Sequence, residues 1–186
     1  LSGITLDIAA AWSFMLGLYE GSEAMRLISG NSFGGGVSYL FGMHTPSVEH
    51  IFLTSPVLSY VGDFDRVNPK WKTEAQGNHI SYVHLSLSPL LVPEVYLFDK
   101  MIVDCPEVKD VTVLHGLADT DVPFEESLRF CKKRSRCTLI GLEDMDHCWA
   151  APGDPLRQTP QSLQNQHIAS DKFIELIERA LETWNR

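Results

Sequence analysis

Arg26-Leu27-Ile28-Ser29-Gly30-Asn31-Ser32-Phe33-Gly34-Gly35-Gly36 is the stretch on which the fold turns. Met25 to Ser29 is a short, mostly apolar run with the length of a buried strand, and Val37 to Phe41 continues beyond the glycines with residues that suit a helix. Between them, Gly30 and Gly34 bracket Ser32 as G-x-S-x-G. That spacing lets a strand turn sharply into a helix while the serine hydroxyl projects from the tip. Both glycines are expected for steric reasons, because side chains two residues before and after the serine would collide with the turn or the following helix. Ser32 is the first candidate nucleophile, and a serine that merely shapes a turn is the structural alternative.

Upstream, Ile8, Trp12, Met15, Leu16 and Tyr19 are spaced as one buried face of a helix over Asp7 to Tyr19, with Gly21 as its stop. Downstream, His50 to Val57 reads as a second strand closed by Ser55-Pro56, Val108 to Leu114 as a third and Cys137 to Leu142 as a fourth. Phe124 to Cys131 reads as a helix, and Ser170 as the cap of a last helix with Phe173, Ile174, Ile177, Ala180, Leu181 and Trp184 on its apolar face. The order is α/β, which predicts a mostly parallel sheet flanked by helices. Asp63 to Pro106 breaks the rhythm, mixing Trp71, Tyr82, Leu90 and Phe98 with Pro69, Pro89 and Pro93. It is expected to form a helical cap over the sheet end, against the alternative of an ordinary helix with irregular flanks.

The chain has 186 residues, 44% of them hydrophobic, which predicts a single domain over 1–186. A net charge of −9 argues against a nucleic-acid partner, and the one basic run, Lys132 to Arg136, reads as a solvated helix end or turn. No apolar stretch reaches the roughly 18 to 20 residues that span a bilayer. No charged-then-apolar leader opens the sequence, so the cytoplasm is the default compartment. The four cysteines, Cys105, Cys131, Cys137 and Cys148, lack C-x-x-C spacing and are expected as reduced thiols. No metal is expected, because no histidine or cysteine pair has ligand spacing, and no cofactor is implied. Composition sets no oligomeric state.

Ser32, Asp119 and His147 each fall in the loop directly after a predicted strand, and in an open parallel sheet those loops share one edge. The order Ser, Asp, His, the G-x-S-x-G turn and the HGxxDxxVP stretch His115 to Pro123 resemble the α/β-hydrolase superfamily in its C-terminal portion. The run from Tyr82 to His147, with Cys105-Pro106 before the acid strand, is similar to small single-domain hydrolases of the acyl-protein thioesterase and acyl-glucuronide esterase type. The resemblance implies Asp119 as triad acid, with Asp121 as the alternative, and the backbone N–H of Phe33 as an oxyanion donor. It also implies further strands and a second oxyanion donor that nothing before Ser32 matches, so the chain is expected to be N-terminally incomplete.

A serine hydroxyl needs a positioned base at neutral pH. His147 would be that base and Asp119 would orient it, which predicts a serine hydrolase cleaving a carboxylic ester or thioester of a small-molecule or acyl substrate. A peptidase of the same fold, or a non-catalytic, partner-binding remnant, are the other readings. His115 is expected to brace its loop. Cys148 is read as an inert packed thiol rather than a reactive one, and Asp144 and Asp146 either raise the basicity of His147 or form a solvated acidic loop.

Overall fold

The structure is a computed structural model that describes residues 2–21 and 23–184. Helix α1 (Ser2–Leu18) precedes strand β1 (Leu27–Asn31), which runs through Ser32 into α2 (Phe33–His44). Strand β2 (His50–Thr54) follows, then α3 (Tyr60–Val67), the single turn α4 (Trp71–Glu74), a hairpin of β3 (Ile80–Tyr82) and β4 (Leu85–Leu87), and α5 (Leu91–Asp104). Strand β5 (Asp110–Gly116), α6 (Phe124–Lys132), β6 (Cys137–Leu142), a 3-10 turn (His147–Trp149) and α7 (Pro160–Trp184) complete the chain.

Four strands form one parallel sheet in the order β1-β2-β5-β6, so β1 and β6 are its edges in this chain. Asn31 is level with Thr54, Thr54 with Leu114, and Gly116 with Leu142, which brings the strand ends to one rim. The alternation of strand side chains divides the core. Ile51, Leu53, Val111 and Val113 face the helices α2, α5 and α6, whereas Phe52 and Leu114 face Leu176 and Phe173 of α7. The 60–104 segment is anchored in the first of these layers by Phe64, Trp71 and Ile80, which are fully buried.

Several expectations need correction. The last helix starts at Pro160, and Ser170 lies inside it. Its first turns show no apolar stripe because they pack through polar side chains: Ser162 Oγ accepts from the Ala151 N–H at 2.8 Å, and Asn165 Nδ2 donates to the Asp144 carbonyl at 2.9 Å. Cys131 and Cys137 form a disulfide, because the tight connection from α6 to β6 brings their Cα atoms to 5.1 Å. That removes the thiol argument for a reducing compartment. The basic run is not wholly solvated either: Arg134 lies 3.8 Å from the Phe130 ring centroid and donates to the Ile102 carbonyl at 2.6 Å. Among the described residues no helix is long and apolar enough to cross a membrane.

Candidate active site

Ser32 sits between β1 and α2 with φ 50 and ψ −127, a conformation that L-residues rarely adopt and that a tight fit must hold in place. The fit is provided by backbone. The Ser32 N–H donates to the Thr54 carbonyl at 3.0 Å, and the Ser32 carbonyl accepts from Gly35 and Val57 at 2.9 Å each. A Cβ on Gly30 would lie 2.6 Å from the Ser38 side chain. At Gly34, by contrast, a Cβ meets nothing among the described residues within 4 Å. The second steric requirement belongs to Gly35, whose Cβ would lie 2.8 Å from the Pro56 Cα, and not to Gly34.

His147 begins the 3-10 turn that follows β6, and Asp119 lies in the loop after β5. The structure brings all three residues together: His147 Nε2 is 2.9 Å from Ser32 Oγ, and His147 Nδ1 is 2.9 Å from Asp119 Oδ2. Asp119 Oδ1 accepts from the backbone N–H groups of Asp121 and Val122 at 3.0 and 2.7 Å. Asp121 itself is exposed, and its backbone only completes that cradle. The fully buried His115 bonds Ser127 Oγ at 2.8 Å and the Val122 carbonyl at 2.9 Å, and its Nε2 stands 3.3 Å from Asp119 Oδ2.

These contacts set the electrostatics. Burial alone would push the Asp119 carboxyl up, but hydrogen bonds from His115, His147 and the Val122 N–H outweigh it and hold the group well below the usual carboxylate range. Burial would likewise lower His147, and the Asp119 hydrogen bond, with the Cys148 thiol beside it, reverses the sign and raises it above the ordinary histidine value. Cys148 is half-buried rather than packed in the core. Its Sγ accepts from Asn31 Nδ2 at 3.6 Å, and the neighbouring His147 lowers its thiol pKa against the effect of burial.

Phe33 is the first residue of α2, so its N–H belongs to the unsatisfied first turn of that helix, where the macrodipole favours negative charge. The Phe33 carbonyl accepts from the Tyr60 hydroxyl at 2.8 Å, and its ring packs edge-on against Tyr60 and Tyr82 at centroid distances of 4.9 and 5.8 Å. Two supporting residues went unread in the sequence. Thr120 donates to Asp146 across the two loops, and Asn165 holds the histidine loop from a helix turn with no apolar signature.

No protein-family model matches the sequence, and the search of curated proteins found no match. Solved structures do. Est1E from Butyrivibrio proteoclasticus superposes with a TM-score of 0.67 at 18% identity, over 94% of this chain and 69% of that one. Alpha/beta hydrolase domain-containing protein 10 from mouse gives 0.64 at 15% identity, over 90% and 67%. The acylaminoacyl peptidase of Pyrococcus horikoshii gives 0.65 at 14% identity, over 95% of this chain and 27% of that one. The chain has the α/β-hydrolase fold.

Proposed function

We propose that the protein is a serine hydrolase that cleaves a carboxylic ester or thioester through Ser32, His147 and Asp119. The observation that carries this reading is the unbroken run Asp119 Oδ2, His147 Nδ1, His147 Nε2, Ser32 Oγ, with 2.9 Å at both hydrogen bonds. With Nδ1–H donated to Asp119, the neutral imidazole presents its Nε2 lone pair to the serine hydroxyl. Nε2 takes the proton as Oγ attacks the carbonyl carbon, and Asp119 stabilises the imidazolium that forms. The developing oxyanion meets the Phe33 N–H at the start of α2. The imidazolium then protonates the leaving group, and water activated by His147 releases the acid from the acyl-enzyme.

The 63–106 segment serves as the cap in this reading and forms the acyl-side wall, with Tyr82 against Phe33 at the site. Its apolar content suits a moderately hydrophobic acyl group. A structure of Est1E with ferulic acid bound is consistent with an aromatic one. A peptidase is the second reading, favoured by the likeness to the Pyrococcus horikoshii enzyme. Turnover of a nitrophenyl ester beside an aminoacyl anilide separates the two. Ester cleavage lost in Ser32→Ala by at least about 10³-fold is expected. Anilide cleavage in preference to ester would favour the peptidase, and no turnover of either by a cooperatively melting chain would favour a non-catalytic protein.

A further inference from the structure

We infer that Asp146 is a positioning residue whose carboxylate latches the loop carrying Asp119 to the turn carrying His147. The inference rests on the triad reading above. Asp146 Oδ1 accepts from the His147 N–H at 2.7 Å and, across the two loops, from the Thr120 N–H at 2.7 Å. The Thr120 hydroxyl adds bonds of 3.0 and 3.2 Å to the two carboxylate oxygens. One oxygen therefore holds the amide of His147 and the amide of the residue next to Asp119.

Besides the His147–Asp119 bond itself, the other ties between these loops among the described residues are backbone bonds nearer the strand ends. Leu117 donates to Leu142 at 2.9 Å and Ala118 to Met145 at 3.0 Å, and neither reaches the His147 amide. The turn beyond it needs such a restraint, because Cys148 and Trp149 both have positive φ, at 52 and 68. The acid is fixed on its other side, with Oδ1 turned to the Asp121 and Val122 amides and Oδ2 between the His147 imidazole and His115 Nε2. Asp146 completes the pair by setting where the histidine stands relative to that oxygen. Its carboxylate oxygens point at amides and a hydroxyl rather than at the ring, so it acts on the imidazole through hydrogen-bond geometry. Bonds of a carboxylate to N–H donors are the stronger, charge-assisted kind.

Three variants test this on the folded chain, assayed for nitrophenyl ester turnover, fluorophosphonate labelling rate and thermal melting. Asp146→Ala is expected to lower kcat and the labelling rate by about 10- to 100-fold with KM within about 3-fold, the signature of lost alignment. Its acidic limb should move to lower pH, because a looser bond to Asp119 raises His147 less. Asp146→Asn keeps an acceptor at Oδ1 and is expected to remain within about 5-fold of the parent. Asp146→Ser keeps a short cap for the His147 N–H but cannot span to Thr120, so it isolates the cross-loop half should the alanine variant fail to fold. Alanine and serine variants within about 2-fold of the parent, or an asparagine variant as impaired as the alanine one, would overturn the latch. Ser32→Ala in the same assay keeps the two ideas apart. A parent that labels no more than Ser32→Ala removes the triad reading, whereas a labelled parent with an unaffected Asp146→Ala removes the latch alone.

Discussion

The two edges of the sheet are built differently. At the β5–β6 side, the loops that carry Asp119 and His147 are tied by backbone, by Asp146 and by Asn165, and His115 fills the space beneath the acid. At the β1 side, α1 presents Leu6, Phe14 and Leu18 with exposures of 71%, 66% and 61%, and a cavity of about 420 Å³ opens between Trp12, Tyr19, Met25 and Leu27. Asp119 and His147 are held from many directions, whereas Ser32 is held chiefly by the strand end and the glycine turn. Precision at the rim is therefore set by the closed half, and the open half contributes one strongly constrained residue.

The comparison breaks most visibly at the acid. Asp119→Asn should reduce kcat/KM by about 10² to 10⁴-fold without unfolding the chain. The sign of its pH effect follows from the base form. In the proposed mechanism neutral His147 is the active species, so kcat/KM should rise with pH through the histidine pKa, and the raised value puts the parent's acidic limb above about pH 6.5. With the carboxylate gone, the burial that lowers His147 is opposed only by Cys148 among the causes named, and the limb should move to lower pH than the parent's. A pH–rate profile of parent and variant checks both statements.

Stability should divide along the same line. Phe52→Ala, on the buried face against Phe173, is expected to cost about 3 to 5 kcal/mol. Phe14→Ser on α1 should stay within about 0.5 kcal/mol. Equal losses in urea titration would erase the contrast between the halves. At the glycine turn, Gly35→Ala should cost about 1 to 3 kcal/mol against Pro56. Gly34→Ala, in open helical backbone, should be neutral or stabilising by up to about 1 kcal/mol.

An effect that depends on pH concerns Glu126, whose Oε2 is buried with no hydrogen-bond partner among the described residues. Burial, with the Asp63 charge adding to it, pushes its pKa up to about 7. Between the unfolded carboxyl value and about pH 7 the native state binds more protons than the unfolded one, so stability falls as pH rises through that window. Glu126→Gln should therefore gain about 1 to 2 kcal/mol over the parent at pH 8 and almost nothing at pH 4. A gain that is the same at both pH values would contradict this.

Much of the fold was legible because its strands are short apolar runs closed by turn residues. The expected β6 has the observed bounds, β2 differs only at its end, and β1 and β5 each lie two residues further toward the rim than expected. The first turns of α7 were hidden because Ser162 and Asn165 pack through hydrogen bonds rather than an apolar stripe. The three-residue strands of the β3–β4 hairpin are too short to show a period. The disulfide escaped because a separation of six positions between cysteines carries no redox or metal signature, and only the α6–β6 turn makes them neighbours. At the site, Ser32, Asp119 and His147 could be proposed because each follows a strand and parallel strands end together. The Thr120 to Asp146 bonds could not, since they join two exposed loops whose relative height no sequence period encodes.

Activation of Ser32 in this chain is tested most directly by intact-mass spectrometry after fluorophosphonate treatment, beside a Ser32→Ala control. One adduct on the parent and none on the control is expected. A folded parent that gains no adduct, or a control that gains the same one, would contradict it.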